Sequence, residues 1–218
     1  MVPSNILQRT FYIRYEIYLG TGFTFERNGI QYLATTSHTF PFTEDRQELD
    51  FSIMRNNDWQ VIHSKIYKHT EKSVDIVALT LSQDISPRHP INMGTNNLFL
   101  SQDAFFLGFP FGKFMEDTAY LNNGFPIPYV KKGIFSTIPF KLKNLELLYI
   151  DGINNPGFSG GPCVFIPHGQ TVPSICGVVR GYLPHEIEVK TPFGNYTFEE
   201  NSGLVEVHSI NHLNEITF

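Results

Sequence analysis

Along residues 11–19, FYIRYEIYL, side chains alternate with a period of two. Phe11, Ile13, Tyr15, Ile17 and Leu19 fall on one face, and Tyr12, Arg14, Glu16 and Tyr18 on the other. That period belongs to a strand with one buried face. Similar alternation, or short runs of β-branched and aromatic residues, predicts strands over 22–26, 30–36, 60–67, 74–81, 98–107, 132–138, 145–150, 161–165, 174–179 and 195–198. Turn signals such as Arg27-Asn28-Gly29, Asn122-Asn123-Gly124 and Pro167-His168-Gly169 separate them. One helix is expected, in the tail, where Val207, Ile210, Leu213 and Ile216 recur at helical spacing.

Many short strands without βαβ alternation predict an all-β fold of antiparallel sheets, sandwich or barrel. The polar, turn-rich stretch 86–97 divides the strands into two comparable groups, which gives two units, 1–92 and 93–218. Composition agrees. The 218 residues are 41% hydrophobic, enough for a sizeable core, and 20 Phe and 10 Tyr beside 17 Gly and 14 Pro favour short strands joined by turns.

The formal net charge of −5, with acids and bases dispersed, excludes a general nucleic-acid surface. Lys131, Lys132, Lys141 and Lys143 form a small basic cluster that reads as a solvated face. The start carries no signal-peptide pattern, and no apolar run is long enough for a membrane span, so a soluble, cytoplasmic chain without a membrane partner is expected. Two cysteines, Cys163 and Cys176, make no disulfide framework. A hairpin at 167–171 could set them face to face; buried free thiols are the preferred reading.

The stretch INNPGFSGGPCVF, residues 153–165, places Ser159 among glycines and prolines. A serine hydroxyl is a weak nucleophile until a base takes its proton, a third group orients the base, and donors await the oxyanion. Gly157, Gly160 and Gly161 allow a turn tight enough to aim backbone N–H groups at one point, those of Gly157 and Ser159 first. On its own the run is also an ordinary turn. Two other places supply partners: His38 follows the apolar strand end in YLATTSHTF, and Asp75 opens the apolar run DIVALTL. A carboxylate there must be exposed or bonded.

These residues carry a resemblance to the trypsin-like serine proteases of the chymotrypsin fold. GTGFTF (20–25) resembles that family's early Gly-Xaa-Gly-Phe strand, ATTSHTF (34–40) its histidine motif, DIVAL (75–79) its aspartate motif and NPGFSGGP (155–162) its nucleophile motif. GFPFG and KKGIFS are further similar to the second half of bacterial high-temperature-requirement proteases. The resemblance spans about residues 10–182. It implies two β-barrels, with His38 and Asp75 on the first, Ser159 on the second and a peptide between them. His38 would serve as general base and acid, Asp75 would orient it, and neither a metal nor an organic cofactor would be needed. The other histidines, His63, His69, His89, His168, His185, His208 and His212, read as surface or structural residues.

Two other readings compete. Gly157-Phe158-Ser159-Gly160-Gly161 also fits the nucleophile elbow of α/β-hydrolases, but that fold needs its acid and histidine after the serine and a helix directly behind it. Here Pro162 and β-prone residues follow. A protease-fold binding module without chemistry is the remaining alternative, against which stands the intact trio.

Departures from the family pattern are specific. Digestive relatives are activated when a new N-terminus pairs with an aspartate just before the nucleophile; here that residue is Phe158. N-terminal cleavage is therefore not expected to activate the chain, and ordering of loop 153–158, by substrate or a regulatory protein partner, is the expected gate. By the same resemblance Ile153 lies at the base of the substrate pocket, with Val179, Arg180, Gly181 and Tyr182 along one wall. Ile153 predicts an apolar or small residue before the cut, while Arg180 would attract an acidic side chain, lie near Asp75 or simply stand exposed at a strand end.

Overall fold

The computed structural model describes residues 2–115, 119–192 and 194–218. After a one-turn helix α1 (Ser4–Leu7), six strands follow: β1 (Thr10–Tyr15), β2 (Tyr18–Arg27), β3 (Ile30–Thr35), β4 (Glu48–Arg55), β5 (Asp58–Lys68) and β6 (Val77–Thr80). They form a closed barrel in the order β1-β2-β3-β6-β5-β4, shut by β1 pairing with β4 at Ile13↔Ile53. Asn28 and Gly29 (φ 52° and 75°), and Asn56 and Asn57 (52° and 59°), take the left-handed backbone of two-residue hairpin turns. Phe11, Ile13, Leu33, Phe51, Ile53 and Leu79 point inward and fill this barrel.

The second half comprises β7 (Asn92–Met93), β8 (Asp103–Gly108), β9 (Tyr129–Phe135), β10 (Phe140–Leu142), β11 (Leu145–Asp151), β12 (Pro162–Phe165), β13 (Ser174–Thr191) and β14 (Gly194–Ser209), then helix α2 (Asn211–Glu215). Its sheet runs β10-β11-β14-β13-β12-β8-β9 with β7 added beside β13. Because β9 also pairs with β11 at Ile150↔Phe135, six of these strands close on themselves into a second barrel around Phe106, Phe135, Phe158 and Phe165. A third apolar cluster joins the barrels: Phe23, Phe25 and Ala78 from the first, Val164 and Val178 from the second, and Leu213 of α2. The fold is thus all-β, two antiparallel barrels with a short C-terminal helix.

Several elements differ from their sequence pattern. The segment 11–19 is not one strand: Glu16 adopts φ 52°, the chain reverses, and Ile17 is left 83% exposed at the turn. Strand β4, where no strand was expected, buries Leu49, Phe51 and Ile53 between outward polar residues. Residues 98–102, 136–138 and 74–76 lie outside the strands expected to include them. Val207 belongs to β14, so only 211–215 are helical, although Ile210, Leu213 and Ile216 are all buried. Strands β13 and β14 run far beyond their predicted lengths, because a ribbon exposed on both faces carries no burial period to read. Cys163 and Cys176 are free, fully buried and face each other with Sγ atoms 3.3 Å apart. No helix among the described residues is long and apolar enough to cross a membrane.

Candidate active site

His38 sits in a single 3-10 turn (Ser37–Thr39) directly after β3. Thr36 and Thr39 share a hydrogen bond between their hydroxyls (2.9 Å), and Phe40 is fully buried, so the turn is anchored on both sides of an imidazole that stays half exposed. Asp75 lies between Val74 and Ile76, both buried, and this alternation forces its carboxylate to the other side of the chain. There Asp75 Oδ2 meets His38 Nδ1 at 2.6 Å, while Oδ1 accepts from Ser37 Oγ (2.7 Å) and the His38 amide (2.9 Å). Burial pushes the Asp75 carboxyl upward, but the bond and charge of His38 and the donors at Ser37 and the His38 amide outweigh it and hold it below the ordinary range.

Ser159 occupies a turn of the second barrel that the first barrel grips. Thr21 of β2 donates its amide to Ser159 O (2.8 Å) and its hydroxyl to Gly157 O (2.6 Å). Gly157 has φ 102°, and a Cβ there would lie 2.1 Å from Phe109 O; at Gly160, φ 86°, it would lie 1.9 Å from Thr21 O. Only glycine fits either position. With the Gly157 carbonyl turned toward Thr21, the amides of Gly157 and Ser159 have no hydrogen-bond acceptor among the described residues. The Ser159 hydroxyl donates to Arg180 O at 3.0 Å.

Phe158, between these amides, is fully buried against Phe106, with ring centroids 5.2 Å apart. Lys131 Nζ stands 5.4 Å from the Phe158 ring centroid and donates to Ile153 O and Asn155 Oδ1, both at 2.6 Å. Lys131 is therefore a loop clamp rather than part of a solvated face, and partial burial lowers its ammonium below the ordinary lysine range. Asn154 is 2% exposed, its Oδ1 has no partner, and its carbonyl accepts from Asn201 Nδ2 at 2.6 Å.

Behind Asp75 lies a second set of groups that sequence reasoning missed. The Asp75 amide donates to His208 Nδ1 (3.0 Å), which places the His208 ring proton on Nε2, facing Glu206 Oε1 at 3.1 Å. Arg180 Nε lies 3.8 Å from Asp75 Oδ2 and 3.6 Å from Glu206 Oε1. The bond from His208 chiefly, with the Arg180 charge, draws the Glu206 carboxyl down against its burial. Arg180 thus lies near Asp75, one of the two positions open to it. Of the expected pocket residues, Ile153 is 62% exposed, Val179 turns its side chain into the barrel core, and Gly181 and Tyr182 continue β13 half buried. No sequence signal marks Ser37, Thr21, Lys131 or His208, because each acts through tertiary contact.

One cluster away from the site has metal-ligand types. His69, His212 and Glu215 offer atoms within 4.8 Å of one another. The far nitrogens, His69 Nδ1 and His212 Nε2, accept the backbone amides of Glu71 (3.0 Å) and Glu146 (2.9 Å). The His69 ring proton therefore sits on Nε2, facing Glu215 Oε2 at 2.7 Å, whereas His212 Nε2 also lies 3.1 Å from Glu146 O, so the contacts do not assign the proton of His212, whose Nδ1 is 2.8 Å from Glu215 Oε2. As a metal ligand His69 would need Nε2 bare and a proton on Nδ1, where the ring already accepts the Glu71 amide, so the cluster is a hydrogen-bonded clasp between α2 and the end of β5.

The fold so built is that of the chymotrypsin-like serine proteases. Rv3671c protease of Mycobacterium tuberculosis superposes in its inactive form with a TM-score of 0.60 (15% identity, 97% of this chain and 88% of that one). Its active form gives 0.62 at 15% identity over 97% and 80%. The HtrA-type protease AlgW with a tripeptide gives 0.61 at 15% over 97% and 60%. No protein-family model and no curated protein sequence matches the chain.

Proposed function

We propose that the chain is a serine endopeptidase acting through His38, Asp75 and Ser159 by way of an acyl-enzyme. The observation that carries the reading is the coincidence of a carboxylate-bound imidazole on one barrel with a glycine-flanked serine on the other, beside two amides that have no acceptor among the described residues. His38 Nδ1–H is held by Asp75, which leaves Nε2 as the base that takes the Ser159 proton during attack and returns it to the leaving amine. Asp75 stabilises the imidazolium, and the Gly157 and Ser159 amides receive the oxyanion. The fold of the neighbours named above agrees with this reading.

The substrate is a peptide or protein chain. With the Ser159 hydroxyl on Arg180 O, attack requires that bond to be released, and loop 153–158 is where a substrate or a protein partner would act as the gate.

The test is labelling of the purified chain with a fluorophosphonate, read by mass spectrometry, alongside Ser159→Ala and His38→Ala. An adduct on Ser159 that is absent from both variants is expected, together with hydrolysis of a peptide library. A folded chain that neither labels nor cleaves would overturn the reading in favour of a binding module.

A further inference from the structure

His208 is a polar ring set in an apolar seam. On β14 it lies between Leu147 of β11 and Val178 of β13, both members of the cluster that joins the barrels, while Val205 and Val207 of its own strand turn the other way and fill the second barrel. Alternation thus points the His208 side chain toward the first barrel, where it is 2% exposed. Burying an imidazole there is unfavourable unless both ring nitrogens are bonded. Glu206 Oε1 faces Nε2 at 3.1 Å, and Nδ1 accepts the Asp75 amide at 3.0 Å.

That amide has a need of its own. Strand β6 begins at Val77, so Asp75 stands two residues outside the ladder, and its N–H meets no main-chain acceptor among the described residues. Val74 and Ile76 on either side are buried in the same seam. Without the ring, a part-buried N–H would be left unpaired.

We infer that His208 is a positioning residue: through it the barrel that carries Ser159 fixes the main chain of Asp75, and thereby the carboxylate that orients His38. The inference rests on the protease reading above. The hydrogen bonds to the Asp75 carboxylate come from Ser37 and His38, which belong to the first barrel; the bond to His208 is the one that refers Asp75 to the second. Glu206 and His208 repeat, behind Asp75, the carboxylate–imidazole pairing of Asp75 and His38. Arg180 joins the two pairs, its Nε 3.8 Å from Asp75 Oδ2 and 3.6 Å from Glu206 Oε1. At 2.6 Å the bond between Asp75 and His38 tolerates little displacement of the aspartate backbone.

Two substitutions divide the ring's functions. His208→Asn places a carbonyl oxygen where Nδ1 stands and gives up the contact with Glu206; His208→Gln reaches Glu206 with its amide and gives up the acceptor for Asp75. The direct readout is the low-field proton resonance of His38 Nδ1–H, assigned by its loss in His38→Ala. It should persist in His208→Asn and move upfield or vanish in His208→Gln. On the best library peptide kcat should fall about a hundredfold in His208→Gln with KM little changed, the cost of an ångström-scale misplacement, and His208→Asn should recover most of that loss. Equal effects of the two substitutions would mean that His208 only packs, and would overturn the inference, as would an unshifted resonance in His208→Gln. If His208→Gln does not fold, the wild type decides. With isotope-labelled histidine the nitrogen spectrum of His208 should place its ring proton on Nε2, and a proton on Nδ1 sinks the inference. These spectra need no turnover. A resonance that follows the acceptor in a chain that cuts no peptide would uphold the positioning of His38 and fail the protease reading.

Discussion

Ser159 Oγ donates to the main-chain oxygen of Arg180 at 3.0 Å, while His38 is engaged by Asp75 at 2.6 Å. His38 and Ser159 are each held separately, and the proposed mechanism needs both in one chain of bonds. His38→Ala and Ser159→Ala should each remove about a millionfold in kcat, and the double variant should be no worse than either, since residues acting as a unit lose their function together. Burst and steady-state kinetics on the best library peptide measure this; additive losses would show that the two do not act together.

Asp75 receives three hydrogen bonds, which hold its carboxyl below the ordinary range. Asp75→Asn keeps the side chain's size but presents the wrong partner to Nδ1, and kcat should fall by about 10⁴ with the far-ultraviolet spectrum unchanged. The depressed value also fixes a sign for stability. The contribution of Asp75 is complete above the carboxylate range of the unfolded chain and fades as pH falls through its folded value. Thermal melts of Asp75→Asn should therefore differ most from wild type near neutrality and converge in acid.

Lys131 reaches loop 153–158 at three points, two oxygens and the Phe158 ring. Lys131→Met should lower kcat by about tenfold with little change in KM, less than loss of an oxyanion donor itself would cost. Lys131→Arg should recover part of the loss. Because burial lowers the ammonium, wild-type activity should fall at high pH, earlier than a free lysine would titrate, and the methionine variant should lack that limb. A pH–rate profile of the three proteins decides it.

Phe158 is fully buried in the second barrel, so the residue preceding the nucleophile is fixed by packing, not by an ion pair. Phe158→Ala should destabilise by about 3–5 kcal/mol in chemical denaturation. Trimming residues 1–3 should leave turnover on a peptide unchanged; a rise of orders of magnitude would restore N-terminal activation.

Glu215 accepts from His212 and His69, and the His212 bond chiefly draws its carboxyl down. Glu215→Gln should lower the melting temperature at neutral pH and lose that deficit as the solution is acidified through the carboxylate range. Addition of zinc to the wild type should leave the melt unchanged, because the His69 nitrogen facing Glu215 carries the ring proton.

The pairing of His38 with Asp75 was legible because the proposed chemistry restricts such positions to few side chains, and Gly157 and Gly160 because the turn admits nothing larger. Strands were legible where apolar and β-branched residues run together, as at 30–35 and 60–67, but not at β4, whose alternation is broken by polar residues and Met54. The reversal at Glu16 was not, since a glutamate in left-handed backbone carries no turn signature. Lys131 and His208 escaped for another reason. A lysine in a basic run and a histidine in a tail gain meaning from residues 22 and 133 positions away, a relation that no local pattern encodes.

Phe218 packs on Tyr32 and Tyr67, with centroids 4.3 and 5.2 Å away, and Arg27 lies over its ring while bonding the carbonyls of Leu213 and Ile216. Residues that leave the second barrel at Ser209 are thereby tied to the back of the first. His38 and Ser159 sit on different barrels, and this strap is one of the contacts that hold the two together. A lesion more than a hundred residues from His38 in sequence, at the tail's aromatic contact, would free the strap from the first barrel while leaving His38, Asp75 and Ser159 themselves unchanged.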